Sequence, residues 1–292
     1  MCLAMSTEIS LGIGLYEVAK LLHLSIFVNG TLLNMETWPK CTEARISRFE
    51  KVEQNFMRRI LKAHSKTPIE ALYLELGIVP LRFHLMKRRI LYLNDILNRE
   101  EGELTKQVVE VQAEKGSKGD FYEQATSDQR ELDISNVLLT GNKEKLKEEI
   151  VKNMEERAYQ FLLEKARKHS KIREDVYVNR NGFDHYNDTR FTPDMISLLF
   201  KFRTRTYLVK INFRNNYKNT DTLCPLCEKN EDSQKHIFEC DVIKESYEKE
   251  IQCSQEDVFT NDKEKLFLVT KTLMDITNIR ENILNPEQND VK

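Results

Sequence analysis

The spacing Cys224-x2-Cys227-x8-His236-x3-Cys240 constrains this chain more than any other feature of its sequence. A C-x2-C turn lets two thiolates reach one ion, and a histidine and a cysteine four residues apart can share one face of a helical turn. Three sulfurs and one imidazole fill a tetrahedral shell with no open position, the ligand set of a single structural Zn2+ rather than a hydrolytic one. The loop between them has too little core of its own, so metal binding would supply its folding energy. The bland alternative is four buried or free side chains without a metal. A redox C-x2-C would not need His236 and Cys240. Six cysteines in this setting do not read as a disulfide framework, and Cys2, Cys41 and Cys253 read as core or free thiols. His23, His64, His84, His169 and His185 are isolated and carry no assigned role.

The rest of the chain reads as helix. Only nine glycines and six prolines occur among 292 residues, which favours long helices over a many-stranded barrel or a glycine-looped nucleotide fold. Neither of the common phosphate-cradling glycine motifs is present. Residues 8–35 form an apolar helical segment, and residues 43–63 a clearer one, with Ile46, Phe49, Val52, Phe56 and Ile60 as its stripe. Thr67-Pro68-Ile69-Glu70 reads as a capped helix start that Gly77 ends. A further helix follows Pro80 to about Asn98, with Leu81, Leu85, Ile90, Leu93 and Leu97 inward. Residues 99–142, where Gly116, Gly119 and Gly141 fall, read as a loop-rich linker. A long helix returns over 143–171 with Leu146, Ile150, Met154, Ala158 and Phe161 on one face. Thr192-Pro193 opens another, and a last helix is expected near 262–283. No secretory signal is read at the N-terminus, and the most apolar stretch, 21–33, is too short to span a bilayer.

A net charge of −2 hides strong segregation. Residues 43–92 hold eleven basic and five acidic residues, and residues 198–218 hold six basic residues and no acid. From 219 to the end there are 17 acids against 9 basic residues. Cationic groups neutralise phosphates and aromatic faces stack on unpaired bases. Lys201, Arg203, Arg205, Lys210, Arg214 and Lys218 are therefore candidate phosphate contacts, with Phe213 and Tyr217 stacking or packing among them. Arg82, Lys87 and Arg88 are further candidates. The alternative makes the aromatics core and the basic residues a solvated face.

Residues 201–240, KFRTRTYLVKINFRNNYKNTDTLCPLCEKNEDSQKHIFEC, strongly resemble the cysteine-rich segment near the C-terminus of reverse transcriptases from LINE-type (non-LTR) retrotransposons. Residues 72–98, LYLELGIVPLRFHLMKRRILYLNDILN, and 27–61, with Trp38 ahead of the basic helix, resemble the thumb and connector that follow the palm of that family. The resemblance covers about residues 8–245. It implies a mainly α protein, a thumb-like helical bundle and long helices with a small C-terminal zinc knuckle. The divisions it implies are 1–98 thumb-like, 99–142 loop-rich connector, 143–190 long helix and linker, 191–245 basic helix plus zinc knuckle, and 246–292 acidic helical tail. The parent activity is RNA-directed DNA polymerisation, which needs paired carboxylates holding two Mg2+ ions. This sequence has no Asp-Asp dipeptide and no recognisable palm, so no catalysis is expected on this chain. The resemblance implies RNA or DNA as partner, possession of one structural Zn2+, contact with the rest of a reverse transcriptase, and an intracellular, nuclear location without membrane attachment. The competing expectations are a zinc-stabilised protein-interaction module, motivated by the acidic tail, and a non-functional transposon relic.

Overall fold

The computed structural model describes residues 15–38, 41–116, 118–135, 142–170, 172, 177, 188–216, 221–247, 251 and 253–285. These residues are mainly helical, and none forms a named strand. The expected segment at 8–35 begins, among the described residues, with α1 (Leu15–Leu22), which passes without a break into a π-helical stretch, His23–Thr31. Next come α2 (Glu43–Ile60), α3 (Ile69–Leu76) and α4 (Leu81–Leu97). Gly77 ends α3 in the left-handed conformation, φ 59°. Thr67 does not cap that helix: no side chain caps it, and the Thr67 hydroxyl instead lies buried, 3.5 Å from the Thr206 hydroxyl.

The expected loop-rich connector contains two helices, α5 (Leu104–Lys115) and α6 (Phe121–Glu131). Its glycines punctuate helices instead of dissolving them. Gly116 closes α5 at φ 59°, a backbone conformation in which a side chain is strained. Asp120 then caps α6 by accepting the Glu123 N–H at 2.8 Å. Gly141 lies outside the described residues.

Helix α7 (Lys143–Ala166) organises the molecule. Leu146, Ile150, Met154, Ala158, Leu162 and Ala166 are all buried. A four-residue repeat on a 3.6-residue helix turns by about 40° per step, so this stripe winds roughly 200° from one end to the other. One helix can therefore serve two cores. Leu146 to Ala158 pack with Phe83, Ile90 and Leu93 of α4 and Phe121 and Ala125 of α6. Leu162 and Ala166 join the main core, which gathers α3, α8 (Pro193–Arg203) and α11 (Lys263–Leu284). Phe161, expected on the inward stripe, is only half-buried and packs at the edge of both cores. Thr192 caps α8 through the Met195 N–H, as expected, and Asp262 caps α11 through the Lys265 N–H. The acidic tail is no solvated arm in this stretch: Leu266, Val269, Leu273 and Ile276 are core.

Candidate metal centre and basic surface

The metal motif folds as a hairpin followed by two short helices, α9 (Gln234–Glu239) and α10 (Asp241–Ser246). Leu223 and Glu231 pair as a single antiparallel bridge. Within it the Glu228 N–H bonds the Cys224 carbonyl at 2.9 Å, with Glu228 at φ 54° closing the turn. Ser233 caps α9 through the His236 N–H, and Cys240 stands at the junction of α9 and α10. This brings one ligand atom from each of Cys224, Cys227, His236 and Cys240 within 4.8 Å of one another. The Cys227 sulfur is 3.3 Å from His236 Nε2, which makes Nε2 the nitrogen that faces the sulfurs. A tetrahedron with metal–sulfur bonds of about 2.3 Å has edges of about 3.8 Å, so a small contraction suits the four groups to one metal ion.

Their surroundings fit that use. The Lys229 N–H, then that of Asn230, hold the Cys227 thiol down to about 6, although burial opposes them. Burial pushes the Cys240 thiol up to about 11; a bound cation would reverse this, since a coordinating thiol loses its proton outright. The hairpin is also tied to the core. Arg280 of α11 donates to both Asp232 oxygens at 2.8 and 2.9 Å. Gln234 donates to the Phe202 carbonyl of α8 at 3.0 Å. Asp232 also receives the Lys210 N–H through its side chain and the Ile211 N–H through its carbonyl. The metal loop therefore fixes the course of the segment after α8.

The candidate phosphate contacts fare differently. Arg203 is buried at 2% exposure and cannot reach a phosphate. Its guanidinium pairs with Glu75 of α3 at 2.9 Å and donates to the Val258 carbonyl at 2.8 Å, while Tyr177 holds the other Glu75 oxygen. Phe213 packs rather than stacks: it is buried, with its ring centroid 5.0 Å from that of His64. Lys201 is half-buried, and burial lowers its pKa. Lys210 reaches Asp221 at 3.6 Å. Arg205 is exposed, at the left-handed position that ends α8, φ 50°. Tyr217, Lys218 and the Arg214 side chain lie outside the described residues.

Arg82 is occupied as well. It bridges two carboxylates of α2, Glu50 at 2.6 Å and Glu43 at 2.7 Å, and these hydrogen bonds raise its pKa. Arg88 donates to the Leu32 carbonyl and the Asn29 side chain. Lys87 is half-buried, and burial lowers its pKa.

A different basic surface emerges on α2. Its third acid, Glu53, is fully buried and accepts from His23 and from the Tyr73 hydroxyl, each at 2.5 Å. Glu50 and Glu53 thus face inward partners, and Glu43, though exposed, is engaged by Arg82. Arg45, Arg48, Lys51 and Arg59 are exposed and have no carboxylate partner among the described residues. Val52, expected in the apolar stripe, lies among them at 56% exposure, and Met57 takes the inward place beside Phe56. The sign of this face is readable in the sequence: at 100° per residue, positions 45, 48, 51, 52, 55 and 59 share one side of a helix.

Comparison with protein-family models, with curated proteins and with solved structures gives no match. Among the described residues no helix is long and apolar enough to cross a membrane.

Proposed function

We propose that this chain binds nucleic acid without catalysing a reaction, and that it derives from the C-terminal region of a non-LTR retrotransposon reverse transcriptase. The observation that carries the reading is the outward face of α2, where Arg45, Arg48, Lys51 and Arg59 stand exposed while Glu50 and Glu53 are buried against Arg82, His23 and Tyr73 and the exposed Glu43 is engaged by Arg82. Uncompensated cations on a rigid helix are what phosphates release counterions to meet. The metal of the Cys224–Cys227–His236–Cys240 site is proposed as Zn2+, because three thiolates and an imidazole without an open position suit that ion in a structural role. A nuclear location belongs to the same proposal through the sequence resemblance.

The test is a fluorescence-anisotropy titration of the zinc-loaded chain with a structured RNA at several salt concentrations. Arg48→Ala/Lys51→Ala/Arg59→Ala should weaken binding and flatten the logarithmic salt slope by about 2–3, at roughly 0.7 per lost contact in single-stranded and 0.9 in duplex segments. Unchanged affinity and slope would remove the reading.

A further inference from the structure

The basic face of α2 borders an apolar groove that phosphate binding does not require. The groove has a volume of about 240 Å3 and is lined by Ile26, Phe27, Val52, Asn55, Phe56 and Arg59. Ile26 and Val52 are large aliphatic side chains, yet 49% and 56% exposed. Behind them the rings of Phe27 and Phe56 lie 4.8 Å apart at 47°. The exposed Arg48, Lys51, Asn55 and Arg59 follow one another along the same face, at steps of about 5–6 Å.

We infer that this groove is a subsite for one unpaired nucleotide, its base seated between Ile26 and Val52 and its flanking phosphates on Arg48, Lys51 and Arg59. The inference rests on the nucleic-acid reading above and sharpens it to a single-stranded or bulged ligand. Four observations favour this occupant. The rim is cationic and the acids of α2 are turned away from it, which matches a phosphate backbone. The floor is apolar and partly aromatic, which suits the flat face of a base and leaves nothing for a duplex exterior to contact. Asn55, at the wall, offers both a donor and an acceptor to a base edge. The groove is also short. It spans only Val52 to Arg59 on α2, room for one planar group, whereas a bound amphipathic helix needs anchors over two or more turns.

Binding should be measured on the full zinc-loaded chain with an oligouridine single strand, an RNA duplex of equal length, and an acidic amphipathic peptide. The single strand should bind more tightly than the duplex at equal salt. Ile26→Ser/Val52→Ser should weaken single-strand binding about tenfold, the scale of one lost base contact, and change duplex binding less than about twofold. A 2-aminopurine placed in the single strand should change its fluorescence with the wild-type chain and not with that variant. Both positions are solvent-exposed, and the thermal midpoint checks that the variant remains folded. Equal binding of single strand and duplex, indifferent to the variant, would overturn the subsite and leave the broader reading standing. Tight binding of the peptide with displacement of the oligouridine would overturn it in favour of a protein partner. Absence of binding to either nucleic acid would remove both readings.

Discussion

Helix α2 mixes five basic residues with three acids, whereas residues 198–218 carry six basic residues and none. Along the chain the second region is the more cationic, but among the described residues the first one presents the larger open basic face. The difference lies in where the counter-charges come from. Glu50 and Glu53 of α2 are buried against Arg82, His23 and Tyr73, and the exposed Glu43 is engaged by Arg82, which leaves the cations of the outer face bare. The acid-free run borrows its acids: Arg203 takes Glu75, 128 positions away, and Lys210 takes Asp221. A charge run therefore states the composition of a segment and not the potential of a surface. The inward acids have a structural price only where they lack partners, and here each has one.

The largest expected effect separates the two regions by their dependence on metal. Cys224 and Cys240 belong to the main core together with Ile237, Phe238 and Ile243, and the loop they anchor holds the Lys210 and Ile211 amides through Asp232. If the site holds the proposed Zn2+, chelation, or Cys240→Ala, should release one equivalent of it and lower the thermal midpoint by about 10 °C or more, as a loss of several kcal/mol does in a chain of this size. Hydrogen exchange should then speed up across 205–216 and 221–247 while α2 keeps its protection. Equal loss of protection in α2 would show that the two regions do not differ in this respect.

Arg203→Ala comes next. Removing one partner leaves Glu75 buried, at a cost of about 3–5 kcal/mol, measurable by urea unfolding. Arg203→Met/Glu75→Leu should recover most of it, since the pair is replaced by apolar groups of similar size. RNA affinity of the folded variant should not change. A large fall in affinity without destabilisation would restore Arg203 as a contact.

These pairings mark the limit of what the sequence conveys. The helices at 43–60, 81–97, 143–166, 193–203 and 263–284 were legible because their periodicity and caps are local. The metal ligands were legible for the same reason, all four falling within one short segment. The two helices at 104–131 are not legible, because Gly116 reads as loop in sequence and is a helix stop in the fold. The Arg203–Glu75 pair could not be read at all, because nothing local distinguishes an arginine that will be buried 128 positions from its partner. Arg82 reads as a free cation for a related reason: its engagement with Glu43 and Glu50 depends on how α2 and α4 pack.

The inward side of α2 has its own pH signature. His84 lies beside His23, ring centroids 5.8 Å apart, and burial, then the nearby His23, Lys87 and Arg88, lower its pKa to about 3. Its folded value lies below the unfolded one, so the unfolded chain binds the extra proton between those values. Stability should therefore fall as the pH drops below about 6.5, by about 2 kcal/mol by pH 5. Asp128 works in the opposite direction: burial raises it to about 6 against the opposing charge of Arg89, which favours the folded state as the pH falls through that value. His84→Phe should remove the larger loss and Asp128→Asn the smaller gain. Urea unfolding at pH 7 and pH 5 reads both. A pH dependence identical in wild type and His84→Phe would place the titration elsewhere.

The smallest effect is the one that tests the comparison most directly. Arg205→Ala/Lys210→Ala removes, from the described side chains of the acid-free run, the exposed arginine and the lysine paired with Asp221. Neither side chain is buried, so stability should stay within about 0.5 kcal/mol of wild type. If α2 carries the phosphates, the salt slope should flatten by less than half of what the α2 triple variant gives. Lys210 must first part from Asp221, and although an exposed pair of this kind is worth at most about 1 kcal/mol, the nearby carboxylate still repels an incoming phosphate. Arg205 alone can account for at most one contact, about 0.7 in slope. A flattening equal to that of the triple variant would reverse the ranking, because it would mean that the acid-free run meets the nucleic acid despite its borrowed acids and that the bare face of α2 is only a solvated surface.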